Sequence, residues 1–135
     1  MNVKLLEQVK RSILAHPKRF VMDSFIEAKK LTGDDFFFAD DGTEVKFDHC
    51  GTAACIAGWT CLIKMKQKAI NAELNFHVSG MGYLGLDGDE AGRLFYAESW
   101  PREFYHRYNA ARTQAKRAKI AAARIDHFIA TEGRE

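Results

Sequence analysis

Cys50-Gly51-Thr52-Ala53-Ala54-Cys55-Ile56-Ala57-Gly58-Trp59-Thr60-Cys61-Leu62-Ile63-Lys64-Met65 is the stretch on which the fold turns. No bulky side chain appears before Ile56, so something must approach this backbone closely. The reading starts a helix at Thr52 or Cys50 and runs it to about Lys68. As far as Met65 it is apolar nearly all round, the pattern of a helix at the middle of a bundle. The segment Cys55–Met65 is therefore expected to be the most buried element. Lys64, Lys66 and Lys68 suit the negative pole of its dipole.

Around this centre the chain has material for one core. Its 135 residues are 47% hydrophobic and include sixteen aromatics, enough for a single domain spanning 1–135. Val3, Leu6, Val9 and Ile13, with Leu5 and Leu14 beside them, mark an amphipathic first helix that stops near His16 ahead of Pro17. Phe20–Phe25 reads as a short strand and Phe25–Leu31 as a helical turn, with both left open. Phe36–Asp48 reads as a small β-hairpin turning at Asp40-Asp41-Gly42. Residues 69–78 form a short helix or an extended segment, broken by Ser79-Gly80-Met81-Gly82. Asp87 and Glu90 form a capping box for a further helix, and Pro101 ends it or begins the next. Phe104, Tyr108, Ala111, Ala115, Ala118, Ala122, Ile125 and Ile129 set the seam of one long last helix ending near Gly133. The expected fold is mainly α: a compact single-domain helical bundle of about five helices with a small β-hairpin near residues 36–48.

Net charge is only +2, but it is unevenly distributed. From Arg102 to Arg124 seven basic residues face the single acid Glu103, a net of +6; from Asp34 to Asp48 six acids face Lys46, a net of −5. No apolar run reaches the ~18 residues of a membrane span, and the charged start is unlike a signal peptide. Three cysteines do not make a disulfide framework. These features read as a cytoplasmic protein with reduced thiols and no membrane contact.

The chemistry-bearing motifs are sparse. Cys50-x4-Cys55 lacks the spacing of structural zinc sites, and no second cysteine pair completes one, so neither a metal nor a cofactor is expected. Cys50 is the catalytic candidate: at a helix start, free N–H groups would favour its thiolate. The competing reading makes Cys55 and Cys61 small buried residues beside Trp59. Gly80-Met81-Gly82-Tyr83-Leu84-Gly85 matches a phosphate-loop spacing in part but lacks the strand-then-helix context. Trp59, Phe95, Trp100, Phe104 and Tyr105 wall a ligand pocket or, the commoner case, fill a core. On the last helix Arg112, Lys116 and Lys119 fall on one stripe and Arg117 and Arg124 on another. These five are the candidate contacts to a partner or to nucleic-acid phosphates, against the plainer reading of a solvated outer face.

At Cys50-Gly51-Thr52-x-x-Cys55-x-Ala57-Gly58-Trp59, with Leu84-Gly85-Leu86 and Leu94-Phe95-x4-Trp100-Pro101 downstream, the chain resembles a group of small bacterial and phage-associated proteins. The resemblance covers roughly residues 17–108, implies a bacterial or phage origin and a compact domain, and carries over no activity. Relative to that pattern the 36–47 hairpin looks like an insertion. The leading expectation is a non-enzymatic protein-interaction or regulatory domain with an unidentified protein partner or a second copy of itself. The alternatives are a thiol-dependent enzyme or redox sensor centred on Cys50, and nucleic-acid binding through the basic last helix.

Overall fold

A computed structural model describes residues 1–22, 26–29, 36–38, 44–46, 51–66 and 75–135, with 26–29, 36–38, 44–46 and 51–53 described by their backbone course. Six α-helices occur among these residues: α1 (Val3–Ala15), α2 (Ile56–Met65), α3 (Phe76–Leu84), α4 (Gly88–Phe95), α5 (Arg102–Ala110) and α6 (Gln114–Ala130). Short 3-10 turns at Pro17–Arg19 and Ala97–Ser99 follow α1 and α4. The chain is mainly helical and bundle-like.

Helix α2 is the centre. Ile56 to Ile63 are buried without a break. It packs on α1, α3 and α4, so neighbours close every side of it. Its beginning departs from expectation. The backbone of Gly51–Ala54 is extended and pairs antiparallel with Ile26–Lys29, in the register Ile26↔Ala54 to Lys29↔Gly51. The helix therefore starts at Ile56, with Cys55 as its N-cap residue in extended geometry. Glycine and β-branched threonine favour helix poorly, and pairing with another strand satisfies the same backbone groups. Ile26–Lys29 is correspondingly extended and not a helical turn. The helix ends at Met65, before the expected Lys68, where Lys66 adopts a positive φ of 57°.

Local capping sets most other boundaries. The Asn2 side chain accepts from Leu5 N at 3.1 Å to open α1, and His16 closes it ahead of Pro17. The buried stripe of α1 is Leu5, Leu6, Val9 and Ile13, while Val3 and Leu14 stay exposed. Asp87 Oδ1 accepts from Glu90 N at 2.8 Å and Glu90 Oε2 from Asp87 N at 2.9 Å, the reciprocal box expected for α4. Gly85, at φ 62°, ends α3: its N–H donates to Gly82 O, and Leu86 N donates to Met81 O.

Two expectations are corrected here. Ser79–Gly82 does not break structure but lies inside α3. A Cβ on Gly80 would stand 3.2 Å from Phe95 Cζ and 3.4 Å from Ala57 Cα. Close approach to α2 and α4 thus outweighs glycine's poor helix propensity of roughly 1 kcal/mol. The single long last helix is instead two, α5 and α6, parted at residues 111–113. Ala111 turns extended, and the Thr113 side chain accepts from Lys116 N at 3.2 Å to start α6 afresh. Ala115 of the expected seam is exposed; the buried face of α6 runs through Ala118, Ile120, Ala121, Ala122, Arg124, Ile125 and Phe128.

Backbone pairing also joins Phe36–Phe38 to Glu44–Lys46, with Phe37 opposite Val45. The Asp40-Asp41-Gly42 turn expected between them lies outside the described residues, as does 67–74.

Gly80→Leu is expected to destabilise the fold by about 1–3 kcal/mol through overpacking of the α2–α3–α4 junction. Urea unfolding checks this, and an unchanged midpoint would show that the junction is loose.

Candidate functional site

The thiols come first, because the sequence singled them out. Cys50 lies outside the described residues. Cys55, not Cys50, occupies the head of α2, and it is buried with 1% exposure. Backbone N–H groups of Ala57 and Gly58 favour its thiolate, but loss of water outweighs them and pushes the thiol up to about 11. Burial, with Cys55 adding a smaller push, raises Cys61 to about 12. Its Sγ faces Phe76 O at 3.9 Å, where α3 begins. Both thiols are therefore protonated at neutral pH and act as small apolar groups. Among the described residues no three His, Cys, Asp or Glu side chains gather as a metal site would need. Trp59, Phe95, Trp100 and Phe104 are buried in the core, and Trp100 Nε1 donates to Leu94 O at 3.0 Å.

The basic residues divide into two environments. Arg112 sits in the turn between α5 and α6, and Lys116 and Lys119 lie one turn apart on α6; all three are exposed. Arg117 is half-buried. Its Nε donates to Ala111 O at 3.2 Å and its guanidinium lies 5.5 Å from the Tyr108 ring, so it pins the turn. Gln114 Nε2 donates to Phe20 O at 3.2 Å and fixes the head of α6 to the segment after α1.

Arg124 contradicts its assignment as a surface contact: its side chain has no exposure. The guanidinium lies 5.3 Å from the Phe128 ring and 6.0 Å from Phe104. It donates to both carboxylate oxygens of Glu135, with NH1 to Oε2 at 3.0 Å, and to Arg93 O at 3.0 Å. Arg93 in turn donates to Gly133 O at 2.9 Å. Burial lowers the proton affinity of Arg124, and Glu135 opposes that loss. This is a buried ion pair that ties residues 133–135 to α4 and α6, with both charges compensated.

Two cations escaped the sequence reading. Arg102 and Arg107 are exposed on α5, and Arg102 Nε donates to His106 Nε2 at 3.1 Å. The signal that could have found them is the charge count from Arg102 to Arg124, which includes both. The candidate site is thus the α5–α6 elbow, whose exposed cations are Arg102, Arg107, Arg112, Lys116 and Lys119, with Glu103 the exposed acid of α5. The N-terminus of α6, between Arg112 and Lys116, adds the positive pole of its dipole.

No family model, no curated protein and no solved structure matches the chain. Among the described residues no helix is long and apolar enough to cross a membrane.

The buried thiols make a pH prediction. Above pH 9.0, the ordinary value, an unfolded chain gives up thiol protons that folded Cys55 and Cys61 keep until about 11 and about 12. The folded state then binds more protons, so stability falls as pH rises through that window. Replacing both cysteines with alanine should flatten the fall in denaturation curves between pH 9 and 11. An equally steep fall in the double variant would show that the thiols are not its cause.

Proposed function

We propose that this chain is a non-enzymatic interaction domain, regulatory in role, whose α5–α6 elbow meets an anionic partner. One observation carries the reading. Arg107, Arg112, Lys116 and Lys119 are exposed and make no ion pair among the described residues. Like charges left unpaired on one elbow repel one another, and an anionic surface relieves that repulsion. The elbow is well anchored for this, since Arg117 and Gln114 fix both sides of the turn.

A small hairpin near residues 36–48 belongs to the same proposal as a separate acidic surface; the pairing of Phe36–Phe38 with Glu44–Lys46 supports it. A cytoplasmic setting and the bacterial or phage origin that the resemblance implies belong to the same proposal. Chemical crosslinking in a bacterial lysate tests the reading. The wild-type chain should capture an anionic partner, and Lys116→Glu with Lys119→Glu should lose it while melting normally. Capture unchanged by that charge reversal would contradict the assignment of this face.

A further inference from the structure

We infer that the partner of the α5–α6 elbow is a nucleic acid, held through its phosphate backbone and not through its bases. The inference rests on the reading that this elbow is the docking face and names the chemistry that fits it. The composition of the face decides between partner classes. Protein–protein interfaces have an apolar core anchored by aromatic residues and are poor in lysine, whereas nucleic-acid interfaces are more polar and far more positive. The large hydrophobic side chains exposed among the described residues are Met1, Val3, Leu14, Val78 and Tyr96, and none of them lies on α5 or α6. Exposed positions there are instead Arg102, Glu103, His106, Arg107, Asn109 and Ala110 on α5, and Ala115, Lys116, Lys119, Asp126 and Ala130 on α6. Such a face has charge to offer and no apolar anchor.

The pattern also speaks against base reading. Arg112 in the turn and Lys116 and Lys119, one turn apart on α6, can follow a line of phosphates, while Arg102 and Arg107, on diverging sides of α5, add to the positive field. Phosphate contacts position a protein without carrying sequence information. Binding should therefore tolerate sequence and depend steeply on salt. Neutralising about three or four phosphates gives a slope of roughly −3 in log K against log salt, or a loss of roughly fiftyfold or more between 50 and 200 mM.

Fluorescence anisotropy on the full chain tests this with three labelled probes: a 24-base-pair DNA duplex, a 24-nucleotide single strand and polyglutamate. The expected result is binding of a nucleic-acid probe at low salt, with that slope. Arg112→Ala with Lys116→Ala and Lys119→Ala should weaken it at least tenfold, while Lys4→Ala, outside the face, should leave it unchanged. Thermal melting of the triple variant confirms that it folds. Polyglutamate binding through the same three residues without nucleic-acid binding would overturn this inference and leave the interaction reading standing. Failure of all three probes would remove both. Nucleic-acid binding that the triple variant retains would place the site elsewhere and overturn the inference.

Discussion

The unbroken burial of Ile56–Ile63 in α2 is the constraint on which the rest depends. A helix whose residues 56–63 are all removed from water must have a neighbour on every side. Ile56, Trp59, Leu62 and Ile63 each contribute about 1.5–3 kcal/mol by leaving water. That gain is available only if other elements come close, which explains the small residues where they meet. A Cβ on Gly80 would touch Ala57 at 3.4 Å and crowd Phe95 Cζ at 3.2 Å, so a larger side chain there would have to displace its neighbours. Helix α1 closes another side, with His16 at its end stacked 5.8 Å from Trp59, and Asn2 N at its start donates to Leu84 O at the end of α3. Cysteine suits such a site as a small apolar residue, and the burial that makes Cys55 and Cys61 useful in packing keeps them from ionising.

The cations show the same logic at the edge of the fold. Arg124 is drawn into the core between Phe104 and Phe128 and brings Glu135 with it. A buried charge is tolerated when its partner is buried too, and here the two terminal nitrogens of Arg124 are bonded while its Nε, buried as well, has no hydrogen-bond partner among the described residues. Arg102, Arg107, Arg112, Lys116 and Lys119 remain in water at little cost. The chain thus uses arginine in two ways within one region: as a clamp on the inside and as a field on the outside.

What was legible in the sequence was what local chemistry decides. The end of α1 before Pro17, the box of Asp87 and Glu90, and the close of the last helix near Gly133 all depend on residues a few positions apart. The burial of α2 was legible because its apolar residues leave no polar face. The start of α2 was not, because Gly51–Ala54 carries no periodicity and its extended form depends on a strand twenty-two or more positions away. Gly80 misled for the same reason: propensity argues for a break, and only the tertiary approach of Phe95 and Ala57 explains the helix. In the candidate site, the charge run pointed to Arg112, Lys116 and Lys119. A seam drawn straight across residues 111–113 hid the elbow, left out Arg102 and Arg107, and set Arg124 on the wrong side.

Native-state hydrogen exchange tests the central claim most directly. If α2 is the element on which the others close, its amides from Trp59 to Ile63 exchange only through global unfolding, with the free energy measured by denaturant. Exchange of these amides through a smaller opening, while α5 and α6 stay protected, would contradict it.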